Sequence, residues 1–297
     1  MSRPADAPDP RLTLARPDLA DARLEGLVKA ERYAPARPMR VAAPVAPVHY
    51  TPDHASERLD ELLYGETFAA LAPAGDFAGD FAGDFVWGQA RRDGHVGFVP
   101  AGALSPANDP PTHRVAAIRT YAFAEASIRS AASGPFSLNA LVRIEAQEGA
   151  FSRAADGGWF WSGHLAPIGS FERDPADVAE RFLGAPYLWG GRTSLGLDCS
   201  GLIQQALYAC GRAFPRDADL QLAEGREIAH ADRPPSDLAR GDLVGWRRHI
   251  GMLLDETRLI HATAHHMAVV IEPLSDAIAR NEAAGRGPTV CRRLSGP

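Results

Sequence analysis

The residues most able to do chemistry are a cysteine and two histidines. Cys199 stands in Leu197-Asp198-Cys199-Ser200-Gly201, behind the turn-rich run Pro186-Tyr187-Leu188-Trp189-Gly190-Gly191. After it, Leu202, Ile203, Ala206, Leu207 and Cys210 recur at helical spacing, so the cysteine sits where a loop becomes a helix with one apolar stripe. Asp198 or a neighbour can cap that helix, placing Cys199 in its first turn. The unpaired N–H groups and the dipole of a helix start favour an anion, so the position is expected to lower the thiol pKa and make the sulfur nucleophilic. The glycines permit tight turns and close approach of a substrate backbone.

A thiolate needs a base. Leu243-Val244-Gly245-Trp246, Arg248-His249-Ile250-Gly251-Met252-Leu253-Leu254 and Arg258-Leu259-Ile260-His261-Ala262-Thr263 read as three short strands, with Asp255-Glu256-Thr257 turning between the last two. A hairpin centred on residue 255 sets His249 opposite His261 on one face and sends Ile250, Met252, Leu254 and Ile260 to the other, into the core. His249 then takes the proton of Cys199, and His261 holds the His249 ring in the right tautomer. Tyr187 and the backbone N–H of Cys199 are candidates to stabilise the oxyanion of an attacked amide. Asp198 suits a cationic amine in the substrate or, as plainly, caps the helix. Tyr187 reads equally as a core aromatic. Trp189 is expected to pack, and Arg216 and Asp217 to form a structural ion pair or a turn.

These elements, in this order, resemble the NlpC/P60 family of papain-like cysteine peptidases over residues 171–297. The match runs through Tyr187-Leu188-Trp189-Gly190-Gly191, Asp198-Cys199-Ser200-Gly201-Leu202, Pro215-Arg216-Asp217, Gln221, Gly241-Asp242-Leu243, His249-Ile250-Gly251 and Ile260-His261-Ala262. The resemblance implies an α+β fold and cleavage of the bond between γ-D-glutamate and a diamino acid in murein peptides. It makes Cys199 the nucleophile, His249 the base and His261 the third member. It gives Tyr187 to the oxyanion, and Asp198 and Ser200 to the free amine of an N-terminal L-alanine. No cofactor or metal is implied. An amidase or acyltransferase with the same three residues is the neighbouring alternative, and a non-catalytic protein that holds wall fragments is a reading of another class.

The remaining candidates carry less. His265 and His266 are adjacent, cannot share a strand face, and read as surface residues. Cys210 reads as core and Cys291 as part of a strand. The cysteines and histidines follow no metal-ligand spacing, and no phosphate-binding loop or dinucleotide fingerprint is present.

The chain must also supply a scaffold. Its 297 residues suggest two or three domains, and 45% hydrophobic with 23% charged residues is the composition of a globular protein. A net charge of −6 argues against nucleic acid as the main partner. Lys29 is the single lysine, so 30 of the 31 basic residues are arginine, a compositional bias rather than a patch. Three cysteines make no closed disulfide framework, which suits a reducing compartment. The first ten residues lack an apolar stretch of signal-peptide type, and no window is long enough for a membrane span, so the expected location is the cytoplasm, without a membrane partner.

Residues 1–47 read as a Pro-, Ala- and Arg-rich extension with a short helix over 18–33. From residue 48 to 110, short strands joined by glycine turns (Phe85 to Ala90, Val96 to Pro100) are similar to a bacterial SH3-like barrel, and residues 111–170 repeat the style more loosely. Two SH3-like barrels before such a peptidase imply an enzyme of free murein peptides. The first barrel would then supply an acidic residue, with Glu57, Glu61 and Glu66 as candidates, and a tyrosine, whose place near the Asp93-Gly94 turn is taken by His95. The repeated Gly-Asp-Phe run over 76–85 reads as a loop duplication without chemistry.

Overall fold

The computed structural model describes residues 8–72, 83–107, 109–230 and 237–295. The chain forms two compact units: residues 1–111 with 140–143, and residues 112–139 with 144–297.

The first unit is built on a seven-stranded antiparallel sheet in the order Arg58–Leu63, Val45–His49, Val96–Pro100, Phe85–Ala90, Thr67–Ala70, Arg37–Val41, Leu104–Pro106. The sheet therefore starts at Arg37, within the stretch read as an extension. Its core gathers Val41, Val48, Leu62, Phe68, Val86 and Val99. No helix forms over 18–33. Gly26 takes a left-handed φ of +81° there, and the chain instead makes one turn of 3-10 helix at Ala22–Leu24 between the short strands Ala20–Asp21 and Tyr33–Ala34. The Gly-Asp-Phe run lies outside the described residues up to residue 82, and Phe85 starts a strand.

In the second unit, a five-stranded sheet over residues 119–161 precedes the part that carries the candidate chemistry. Among the described residues that part has four helices, α1 (Pro175–Glu180), α2 (Cys199–Ala209), α3 (Ala218–Gln221) and α4 (Leu274–Ala283). They accompany a six-stranded sheet whose strands in chain order are β1 (Arg226–His230), β2 (Leu243–Trp246), β3 (His249–Leu253), β4 (Arg258–Thr263), β5 (Ala268–Pro273) and β6 (Val290–Arg293). The order across the sheet is β1-β6-β2-β3-β4-β5, every pairing antiparallel.

The sheet is covered on both faces, which explains why β2 and β3 are buried throughout. On one face, Leu202, Ile203, Ala206 and Leu207 of α2 pack fully buried against Ile250, Met252 and Ile260. On the other, Leu253 and Leu259 meet Leu274 and Ala277 of α4. Removing one such leucine from a close-packed core typically costs about 2–5 kcal/mol, so the position of α2 is strongly determined. Its far side is tied by Asn139, whose amide donates to the Gln205 carbonyl at 2.8 Å and to Gln205 Oε1 at 2.9 Å. Among the described residues no helix is long and apolar enough to cross a membrane.

Candidate active site

Cys199 is the first residue of α2, and Asp198 is the cap. The Gly201 N–H donates to Asp198 Oδ1 at 2.7 Å, satisfying one of the orphan donors of the helix start. Gly201 is needed there because a Cβ would lie 2.3 Å from the Gly191 carbonyl oxygen. The close approach that this glycine allows is thus of the chain's own loop. That loop is fastened at its other end, where the Tyr187 N–H donates to the Met267 carbonyl at 2.9 Å.

Asp198 is both cap and ion-pair partner. Arg216 NH1 donates to Oδ1 at 3.0 Å and NH2 to Oδ2 at 2.6 Å, while the Gly190 N–H donates to Oδ2 at 2.9 Å. Arg216 also donates to Ser200 Oγ at 2.8 Å. Arg216 therefore pairs with Asp198. Both are buried, Arg216 to 1% exposure and Asp198 to 6%. A planar guanidinium meeting two oxygens in parallel satisfies both charges in a dry setting.

The histidines come together, by a different register from that anticipated. Met252 pairs with Ile260 and Leu253 with Leu259, so the hairpin centres on residue 256. Continuing that register puts Gly251 opposite His261, with His249 as the diagonal neighbour on the same face. A side chain at 251 would obstruct this diagonal, since a Cβ there would lie 3.0 Å from His261 Cβ. His249 Nε2 lies 2.8 Å from His261 Nδ1. The His249 ring also stacks on Trp246 at 5.8 Å between centroids. The Trp246 indole is itself anchored by donating to Thr289 Oγ1 at 2.9 Å.

The relay continues to residues that the sequence did not point to. Glu272 on β5 places Oε1 2.7 Å from His261 Nε2, an ion-pair distance reached at an angle to the ring rather than along its N–H bond. Arg280 of α4 holds the same carboxylate through both guanidinium NH2 groups. With a carboxylate at Nε2, the proton of His261 belongs on Nε2 and Nδ1 is left to accept. His249 then donates from Nε2, which leaves its Nδ1 unprotonated and able to take a thiol proton. In the sequence, Glu272 is one acidic residue among 37 Asp and Glu. Only its place on the strand beside His261 distinguishes it.

The electrostatics correct one expectation. Burial, reinforced by the Asp198 charge, pushes the Cys199 thiol up to about 12, although the backbone N–H groups of Ile250 and Ser200 act the other way. Burial also holds His249 down to about 3 and His261 down to about 4. Desolvation outweighs the helix terminus here. These directions favour a neutral thiol at Cys199 and neutral imidazoles at His249 and His261. Burial and the nearby Cys199 and Asp198 raise Tyr187 above its ordinary value, so it remains a hydroxyl donor. Cys199 shares a core cluster with Ile250, the residue after His249 at the start of β3.

Other candidates fall outside this cluster. Trp189 is 52% exposed. Cys210 caps the end of α2, and Cys291 is buried in β6; both are free thiols, each pushed up to about 11 by burial. His265 and His266 are exposed in the turn before β5, as anticipated, and His266 Nε2 comes within 3.7 Å of Glu272. In the first unit, Glu61 pairs with Arg58 and Glu66 with Arg92, Glu57 is exposed, and His95 is buried.

Residues 184–285 match the NlpC/P60 family, and residues 48–104 match the bacterial dipeptidyl-peptidase Sh3 domain. The chain is 32% identical over 109 residues to a γ-D-glutamyl-L-lysine dipeptidyl-peptidase of Bacillus subtilis, covering 34% of this chain and 35% of that protein. It is 34% identical over 100 residues to a probable endopeptidase of Corynebacterium glutamicum, covering 33% and 46%. The chain thus spans between a third and a half of the length of these relatives. An NlpC/P60 family protein from Bacillus cereus shares its fold, with a TM-score of 0.71 at 17% identity over 86% of this chain and 99% of that one. Residues 184–285 thus resemble an NlpC/P60 domain, preceded over residues 48–104 by a stretch that matches an SH3-like one.

Proposed function

We propose that this chain, with its NlpC/P60 domain behind SH3-like strands, is a cysteine peptidase. Its reaction is hydrolysis of the bond between γ-D-glutamate and a diamino acid in short murein peptides, such as the free L-Ala-γ-D-Glu-diamino acid fragments met in wall recycling. The observation that carries this reading is the 2.8 Å contact between His249 and His261, in a chain whose Cys199 starts a helix and is influenced by the backbone of Ile250, the residue after His249. The relatives named for γ-D-glutamyl-L-lysine cleavage support the substrate class. In domain terms, residues 171–297 are the peptidase domain, the SH3-like domain expected over 48–110 also takes in the strand Arg37–Val41, and 111–170 is a second, divergent one.

The chemistry follows from the relay. As His249 Nδ1 takes the thiol proton, Cys199 Sγ attacks the γ-glutamyl carbonyl carbon. The oxygen becomes an oxyanion, which the Tyr187 hydroxyl and the Cys199 N–H stabilise. His261, backed by the Glu272 carboxylate, steadies the imidazolium. His249 passes its proton to the departing amine, the C–N bond breaks and a thioester remains. Water, deprotonated by His249, then hydrolyses the thioester and releases L-Ala-D-Glu. The family resemblance gives Asp198 and Ser200 to the substrate amine, and that amine would have to compete with Arg216, which already donates to both side chains.

The test is mass spectrometry of the protein incubated with L-Ala-γ-D-Glu-L-Lys, its diaminopimelate counterpart and an N-acetylated twin of each, with Cys199→Ala as control. Release of L-Ala-D-Glu from the free-amine peptides alone supports the full reading. Cleavage of the acetylated twins too removes the amine-reading role. Absence of cleavage with Cys199 still alkylatable rejects this substrate class.

A further inference from the structure

Beside the relay lies a pocket that the three catalytic residues do not account for. It has a volume of about 320 Å³, and its walls include His249, Thr263, His265, Arg280, Asn281 and Arg286. That is within the range of sites for small ligands.

Two of its residues are permanent cations, and they differ. Arg280 is neutralised by Glu272. Arg286 is half-buried and, among the described residues, has no carboxylate partner. Its backbone is fixed at both ends of the pocket: its N–H donates to the Asn281 carbonyl at 3.0 Å, and its own carbonyl accepts from the Arg247 N–H at 3.0 Å. Arg247 lies in the tight turn that ends at His249, so Arg286 is tied to the start of the strand bearing the base. Its charge is felt at both His249 and Tyr187. The pocket therefore carries one uncompensated positive charge next to the reacting groups.

The order of events decides what enters it. His249 delivers a proton to the leaving nitrogen, so that nitrogen lies against the His249 ring. The amino acid it belongs to must fill the space that His249 lines. Its α-carboxylate is borne by the carbon next to that nitrogen and enters the same space. We propose that this pocket is the subsite of the leaving amino acid, and that Arg286 pairs with its free α-carboxylate. The inference rests on the peptidase reading and deepens it: the substrate class is a peptide that ends at the diamino acid, rather than one whose chain continues through an amide at that position. A guanidinium without a partner suits a carboxylate geometrically and gains little from a neutral carboxamide.

The experiment compares kcat/KM for L-Ala-γ-D-Glu-L-Lys with a free C-terminal carboxylate and with a C-terminal carboxamide, in the wild-type chain and in Arg286→Gln. The wild type should prefer the acid by roughly tenfold or more, the size of a charge-assisted hydrogen bond, and Arg286→Gln should lower that ratio about tenfold. A wild-type ratio near one, or a ratio unchanged by Arg286→Gln, overturns the inference while leaving the peptidase reading intact. A second probe is independent of the peptide: the relative rates of Cys199 alkylation by iodoacetate, an anion, and iodoacetamide, its neutral analogue. If neither peptide is cleaved, the peptidase reading fails, and a fall in the iodoacetate-to-iodoacetamide ratio in Arg286→Gln still supports an anion site. An unchanged ratio overturns it.

Discussion

Replacing Glu272 with glutamine should slow turnover about tenfold to thirtyfold with little change in KM. The substitution keeps the side-chain size and an acceptor oxygen beside His261 but removes a negative charge that is only 10% exposed. The His249 and His261 ring centroids are 4.9 Å apart and the carboxylate adjoins the far side of His261. Its charge is therefore roughly 8 Å from the imidazolium that forms when Cys199 gives up its proton, worth about 2 kcal/mol at an effective dielectric of about 20. Lost from the barrier alone, that corresponds to about thirtyfold in rate, and partial solvent screening brings the lower bound to about tenfold. Arg280 worsens the loss, because its charge is then unopposed beside His261. The sign also appears in the pH profile. Glu272 favours the protonated form of both histidines, so its removal should move the acid limb of kcat/KM to lower pH. The assay is steady-state release of L-Ala-D-Glu across pH, with Glu272→Gln compared to the double variant Glu272→Gln/Arg280→Gln, which should recover part of the loss. A kcat within twofold of the wild type with an unmoved acid limb would refute the relay through Glu272. So would a change confined to KM.

Three further outcomes follow from the same geometry. Arg216→Met should destabilise the fold by about 3–5 kcal/mol, read by urea denaturation, because it strands the buried Asp198 charge and loosens the cap of α2. Gly251→Ala should reduce turnover far more than stability, since the added Cβ presses on His261 and parts the two rings; melting temperature and kcat measured side by side check this. His249 and His261 are held below their unfolded value of 6.5, to about 3 and about 4, so the unfolded chain takes up protons first as pH falls. Their contribution to stability is present above about pH 6.5 and should fall between pH 6.5 and 5 by at most about 1.4 kcal/mol per histidine per pH unit. Thermal melts of wild type and His261→Gln should differ in slope across that window, and equal slopes would contradict buried neutral histidines.

What could be read from the chain, and what could not, divides along a physical line. Cys199 at a helix start, its apolar stripe and the histidine hairpin are local patterns, and local periodicity carries them. The centre of the hairpin depends on turn geometry within one residue, so the facing pair became a diagonal one without leaving its face. The thiol pKa went the other way because it depends on how deeply α2 is buried, which no spacing records. Glu272, Arg280 and Arg286 lie on β5, on α4 and just beyond it. Their meeting with His261 and His249 is set by strand order and helix packing. Arg216 was read with Asp217 as a structural ion pair or a turn, and its pairing with Asp198, already fixed as a cap, depends on tertiary packing that no local pattern records. Residues 18–33 have helical composition in part, yet Gly26 and two short strands redirect them.

The central claim is that Cys199 carries the acyl group of a γ-glutamyl substrate. The most direct test is the intact mass of the protein quenched in acid during turnover of L-Ala-γ-D-Glu-L-Lys. A transient increase equal to one L-alanyl-D-glutamyl group is expected, located on Cys199 by peptide mapping and absent from Cys199→Ala, which should also release no product. An adduct on Cys210 or Cys291, or continued cleavage by Cys199→Ala, would contradict it.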